Sequence, residues 1–322
     1  MRPLEPLQGR SGTAMRRKRL GVWEEITWPE YVAVAERVAG ALRECGVGEG
    51  DRIALAVRNR PEWLFAELGI VLAGAVAVPL DVDGPPERLV EAKARLLFAD
   101  DAEQVDKALS IAGNCPDLGR IVVIDARDVS AGDERVVTFA DFGAGLTDAG
   151  PSDAGPSDAG PSDAASKDAA RLDLSAGDPF GLRARDEYLS FMPTHDAAER
   201  AFSLTLHLSR GYIVNFGGAA TVHADLAAVR PTVLYARAEV WEELRHGAQS
   251  RLAAASWLKR RLSTRALAGG LPLGSLLIHR PLRARLGLGR VRIGLYGPGP
   301  FEGLSWYERI GLRMKAYETG AR

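Results

Sequence analysis

"RIALAVRNRPEWLFAELGIVLAGAVAVPL" runs from Arg52 to Leu80, and its reading decides the fold. Arg52 to Val57 is a short apolar strand. Asn59-Arg60-Pro61-Glu62 has the pattern of a capping box, which predicts a helix opening there and ending at Gly74. "AVAVPL" then reads as a second strand. A strand, a covering helix and another apolar strand make the unit of a parallel sheet buried on both faces. The run from Trp63 to Leu80 is just long enough to cross a bilayer, but Glu67 lies inside it and Gly74 and Pro79 interrupt it. A buried helix followed by a buried strand accounts for the same residues without placing a carboxylate in lipid.

The pattern extends in both directions. Upstream, Thr27-Trp28-Pro29-Glu30 is a second capping box. Its helix is predicted to bury Tyr31, Val34, Val38, Leu42 and Cys45 and to stop at Gly46. Downstream, "PERLVEAKARLLFADD" and "AEQVDKAL" read as helix, and "RIVVID", Arg120 to Asp125, as a third strand. From Asp148 the composition changes to "DAGPSDAGPSDAGPSDAASKDAA". This repeat offers nothing to fill a core and reads as a flexible linker over 147–177. Regular structure resumes at Tyr188, with "YLSFMP", "GYIVNFG", "PTVLYA", "RVRIGLYG" and "RMKAYE" as strands. Helices are predicted from about Asp196, from Glu239 to Ala268 and over "GLSWYERIG". The expected fold class is α/β with parallel sheets. An N-terminal subdomain spans 1–146, and a second subdomain, 178–322, has last elements that look unfinished.

Composition narrows the function classes. Of 322 residues, 46% are hydrophobic and 26% charged, as in ordinary globular proteins. A net charge of −1 supplies no global attraction to nucleic acid or to an anionic membrane. Cys45 and Cys115 are too few for a disulfide framework and lack metal-ligand spacing. The N-terminal "MRPLEPLQGRSG" has no apolar signal core, so the cytoplasm is the expected location. The basic clusters "RRKR" (Arg16 to Arg19) and "KRR" (Lys259 to Arg261) read as solvated faces.

Several stretches, taken in order, resemble the adenylate-forming superfamily, and within it the long-chain fatty acyl-CoA synthetases. They are "MRRKRLGVWEEITWPEY", the run from Gly46 to Leu80, "YLSFMPTHDAAER", "VRPTVLYARAEVWEEL" and "GLGRVRIGLYGPGP". The resemblance implies the N-terminal part of such an enzyme. It also implies ATP, Mg²⁺ and coenzyme A as the family's cofactors. A Gly-rich Thr-Ser-Gly loop with a lysine holds the triphosphate in that family. Its place lies between Asp178-Pro179 and "YLSFMP", where only "FGLRARDE" stands here. "GPGP" and "GGAA" lack the hydroxyls and lysine. At the other end, matching Tyr317 to the family's Tyr-Gly-x-Thr-Glu motif puts Gly320 and Ala321 at the Thr and Glu positions. Shifting by one residue recovers Thr319 but no acid. The family's mobile lid would follow Arg322, so a truncated member is expected.

The resemblance assigns His195, Glu199 and Arg200 to the substrate pocket, and Gly297, Pro298, Gly299, Tyr317 and Thr319 to the nucleotide side. It leaves no catalytic set intact and no metal ligand. The residues themselves also allow a second reading at His195, a helix start with Asp196 as cap and Glu199 as its capping-box partner. Trp241 matches a family tryptophan with core packing as its expected role, and Glu239 stands where the family has arginine. Three functions follow as expectations: a degenerate family member without its own acyl adenylation, a ligase completed by a partner chain, and a non-catalytic acyl-binding or interaction module. The implied partners are a fatty acyl ligand, and a second protein or a second copy on the unfinished sheet edges. No nucleic acid and no transmembrane segment are expected.

Overall fold

The computed structural model describes residue 7 and residues 9–130, 132–144, 178–253 and 279–317. The expected linker, the "KRR" cluster, Thr319 and the later part of the Glu239–Ala268 helix lie outside the described residues. The described residues fall into two compact units. One draws on Met1–Ala14, Glu25–Ala176 and Pro193–His195; the other draws on Met15–Glu24, Gly177–Met192 and Asp196–Arg322.

The chain opens with β1 (Thr13–Arg19) and β2 (Val22–Thr27), a hairpin joined at Leu20-Gly21. Both turn residues have positive φ, 49° and 82°, the combination a two-residue hairpin turn demands. This hairpin is absent from the sequence reading, because its strands carry charged rather than apolar runs. Nor is "RRKR" a merely solvated cluster. Arg16 pairs with Glu187 at 3.1 Å, Arg17 with Glu24 at 3.0 Å and Lys18 with Asp225 at 2.9 Å.

Helix α1 (Trp28–Glu44) starts at the predicted capping box, with Thr27 and Glu30 bonding reciprocally. Trp28, Tyr31, Ala35, Val38 and Leu42 are buried, whereas Val34 and Cys45 are only half-buried, one step around the helix from the core stripe. Then come β3 (Arg52–Ala56), α2 (Pro61–Leu72), β4 (Val76–Pro79), α3 (Glu87–Ala92), β5 (Leu96–Ala99), α4 (Ala102–Ser110), β6 (Arg120–Val123) and β7 (Val136–Thr138). The cap of α2 falls one residue later than the Asn59 of the predicted box. Arg60 is the cap residue of α2, without a side-chain cap bond, and Pro61 opens the first turn. The predicted helix through "ARLLFADD" is also corrected. Lys93, at φ 48°, ends α3, and Leu96-Leu97-Phe98-Ala99 form a central strand with every residue buried. Helix and strand are indistinguishable by periodicity in so short an apolar run.

β3 to β7 form one sheet in the order β4-β3-β5-β6-β7, parallel throughout. The second unit continues with β8 (Glu187–Ser190), α5 (Ala197–Arg200), a π-helical stretch (Ala201–Leu206) and α6 (His207–Arg210). Next are β9 (Ile213–Phe216), α7 (Val222–Val229), β10 (Val233–Ala236) and α8 (Ala238–Ala253). After the undescribed stretch come α9 (Arg280–Arg285), β11 (Ile293–Tyr296), α10 (Leu304–Arg309) and β12 (Met314–Ala316). The sheet order is β12-β11-β10-β8-β9-β1-β2. Setting the hairpin aside, its strands run second, first, third, fourth, fifth across the sheet, as those of the other unit do. Among the described residues no helix is long and apolar enough to cross a membrane.

Close packing in each unit yields a test. Gly69 on α2 faces α1, and a Cβ there would lie 2.5 Å from Val38 Cγ1 and 3.0 Å from the Ala35 carbonyl. Val38 is β-branched and cannot swing aside. G69A should therefore destabilise by about 1–2 kcal/mol despite its better helix propensity. Adding V38A should recover part of that loss, measured as coupling in urea denaturation. In the second unit, the fully buried Trp241 donates Nε1–H to the Leu295 carbonyl at 3.0 Å. W241F should lower the urea midpoint by the equivalent of about 2–4 kcal/mol with an unchanged slope.

Candidate functional site

In a parallel sheet all strands end at one edge, and ligands bind there, where neighbouring connections leave on opposite sides. In the second unit that point lies between β8 and β10, because β9 lies on one side of β8 and β10 to β12 on the other. The residues leaving β8, β10, β11 and β12 at this edge are the candidate site.

Asp196 caps α5, its carboxylate accepting from Ala198 N at 2.9 Å and Glu199 N at 3.3 Å. It also pairs with the exposed Arg237, just past β10, at 3.0 Å. Past β11, Gly297 bonds back to the Ala236 carbonyl at 3.1 Å. A Cβ at Gly297 would lie 2.8 Å from Tyr235 Oη, so only glycine leaves that phenol its place. Pro298 and Gly299 follow on the surface, Gly299 at φ 126° beside Glu239. Past β12, the Tyr317 amide bonds to the Tyr296 carbonyl at 2.9 Å. The half-buried Tyr317 ring packs on Phe180, Phe202 and Tyr235 at 5.8, 5.1 and 5.8 Å. Phe202 is the hub, stacked at 5.6 Å on both Tyr188 and Tyr235. Burial raises the Tyr317 phenol pKa, reinforced by the charge of Asp196.

The predicted site residues divide. Gly297, Pro298, Gly299 and Tyr317 share the edge. His195, Glu199 and Arg200 each have their own surroundings. His195 belongs to the first unit, where its Nδ1 lies 3.6 Å from Asp81 and the adjoining Thr194 hydroxyl donates to the Val57 carbonyl at 2.6 Å. Glu199 is fully buried and accepts from Tyr188 Oη at 2.8 Å, Ser190 Oγ at 2.5 Å and Ser203 Oγ. Asp196 is the α5 cap as read, but Glu199 does not close a capping box; it turns inward. Burial pushes its carboxyl up to about 7, against the pull of the three hydroxyls. Arg200 is half-buried at the last turn of α5. Sequence reasoning missed Phe202, Tyr235 and Arg237. The string "PTVLYAR" places the last two at a strand end, but nothing local marks them as neighbours of Tyr317.

The segment before β8 leads into the sheet at the other edge, where the strands begin. There Asp178 accepts from Phe180 N at 2.9 Å and from Leu182 N, and Asp186 accepts from Arg183 N at 2.8 Å. Asp186 is buried, and its pKa lies below the ordinary carboxylate value. Burial alone would raise it, but bonds from Arg292, Thr232 and the Arg183 amide outweigh that. The amides of Phe180, Leu182 and Arg183 are thus held by two carboxylates of their own segment.

Residues 9–172 match the model of the AMP-binding enzyme family. The chain is 28% identical over 115 residues to the long-chain-fatty-acid–CoA ligase ACSBG1 of Bos taurus, covering 34% of this chain and 16% of the ligase. It is 39% identical over 88 residues to pyochelin synthetase PchE of Pseudomonas aeruginosa, covering 27% of this chain and 6% of the synthetase. It therefore spans a small part of these relatives' length. Among solved structures, it resembles the adenylation domain of a carboxylic acid reductase from Segniliparus rugosus, in complex with AMP and a co-purified carboxylic acid. The TM-score is 0.71 at 19% identity, over 99% of this chain and 59% of that one. The corresponding domain from Mycobacterium chelonae gives 0.72 at 17% identity, over 99% and 56%. At such identity these structures show the α/β fold alone. By its family match, the chain belongs to the AMP-binding enzymes, and its relatives include long-chain fatty acid–CoA ligases.

Proposed function

We propose that this chain is a fatty acyl-CoA ligase-like member of its family that does not itself adenylate a fatty acid, and that it serves as a binding or interaction protein. One observation carries the reading: the segment from Phe180 to Glu187, which stands where the resemblance expects the Gly-rich phosphate loop, has no lysine and no hydroxyl, and its Phe180, Leu182 and Arg183 amides are bonded to Asp178 and Asp186. Adenylation requires donors and cations aimed at phosphate oxygens, and the loop that supplies them in the family has no counterpart in this segment. The Phe180 ring, which closes on Phe202 and Tyr317, adds support, since it takes up a face of the tyrosine matched to the family's adenine motif. Gly297 and the apolar wall of β8 are compatible with a retained acyl-binding role.

The test is pyrophosphate release with ATP, Mg²⁺ and fatty acids from octanoate to stearate. The expected result is no release above that of a protein-free control, with the chain alone. Release that depends on the chain would overturn the reading. Restored release on adding a co-purified protein that carries a Gly-rich phosphate loop would replace it with a ligase made of two chains. Calorimetry with palmitate divides the remaining roles. Saturable heat with a negative heat-capacity change identifies acyl binding, and a flat titration leaves interaction alone.

A further inference from the structure

Beneath the aromatic edge lies a polar group for which the proposed function has no use. Glu199 is fully enclosed, and its Oε1 forms a triangle with two hydroxyls, Ser190 Oγ at 2.5 Å and Ser203 Oγ, which are themselves 3.0 Å apart. The serine hydroxyls supply protons for two of its edges, and a proton kept on the carboxyl would supply the third, Tyr188 Oη being directed to Oε2 at 2.8 Å. The surroundings agree. Tyr188 on β8, Tyr212 ahead of β9, Tyr235 on β10, His207 on α6 and the cap residue Asp196 face this region, and none of them opposes Glu199 with a fixed positive charge. An unpaired buried carboxylate is costly, and the inexpensive solution is to keep the proton.

We infer that Glu199 is held as a neutral carboxylic acid whose proton closes this ring, and that losing the proton loosens the aromatic edge through Phe202 and Tyr188. The connection is short. Phe202 follows Glu199 on the same helical run, Tyr188 both donates to Glu199 and stacks on Phe202, and Phe202 carries Tyr235 and Tyr317. Glu199 is thus a positioning residue that acts through its neighbours, whatever ligand the edge receives.

The raised pKa, about 7 against an ordinary 4.5, fixes the sign. The folded state binds the proton more tightly than the unfolded chain. Its contribution to stability is therefore complete below about pH 4.5 and is lost as the pH rises through about 7. The test uses the full chain labelled with carboxyl-¹³C glutamate. One glutamate carbon should titrate with a midpoint near 7, and the near-ultraviolet circular dichroism of the tyrosines should weaken over the same interval. E199Q, neutral at every pH and still able to donate and accept, should abolish both changes and keep the low-pH spectrum at about pH 8.5. If every glutamate carbon titrates below about pH 5.5, the inference fails, and this holds even if E199Q does not fold. An unchanged pH response of the tyrosine signal in E199Q would equally overturn it.

Discussion

A parallel strand cannot turn back directly to its neighbour; a crossover, in most places here a helix, must carry the chain over one face before the next strand begins. The consequences run through this protein. The central strands must be apolar on both sides, as Ile53 to Ala56, Leu96 to Ala99 and Val233 to Ala236 are, all buried. Each helix must be apolar toward the sheet and end where the next strand starts. Every strand then finishes at one edge, so side chains far apart in sequence meet there. Each unit obeys this rule with the same strand order, yet the two edges differ in chemistry. In the first unit Arg58 and Arg60 bind Asp100 at 3.1 and 3.4 Å across the point where the order reverses, between β3 and β5. In the second unit the corresponding edge carries glycines and rings.

Because the constraint acts on strand composition, the strand–helix–strand units were largely legible. "RIALAV", "RIVVID", "YIVNF", "PTVLYA" and "RIGLYG" are short apolar runs ended by polar or turn residues, and each is a strand close to its expected limits. The Thr27 capping box was legible for a similar reason: two side chains three residues apart satisfy two backbone donors without help from the rest of the fold. What failed lacked such local determination. Leu96 to Ala99 is compatible with helix until β3 and β6 flank it. The hairpin of β1 and β2 escaped notice because Arg16, Arg17 and Lys18 pair with carboxylates, two of them from distant segments, so the pattern is one of charge pairing and not of alternation.

The site was legible in position more than in role. The resemblance assigns Gly297 and Tyr317 to the nucleotide side, and the structure puts each just past a strand at this edge. Glu199 could not be separated from a solvated helix terminus, since its burial arises from Ser190 and Ser203 closing on it, and Phe202 had no polar feature to mark it. A helix begun by Asp196 turns residue 199 fully inward toward β8 and leaves residue 200 half-buried. Neighbouring Glu and Arg, alike in their sequence surroundings, therefore acquire different environments.

The turn before β8 is closed by its own side chains: the carboxylates of Asp178 and Asp186 accept from the amides of Phe180, Leu182 and Arg183, a few residues away in the chain. It leads into the edge where the strands begin, opposite the one that carries the glycines and rings. Asp186 is further held by Arg292 and Thr232, the latter at 2.8 Å, so its displacement would also disrupt the contacts between the start of β8 and those of β10 and β11. Asp178 is likewise paired, with Arg210 at 3.6 Å, so this turn ties the starts of β8, β10 and β11 together through charges that cancel within the chain.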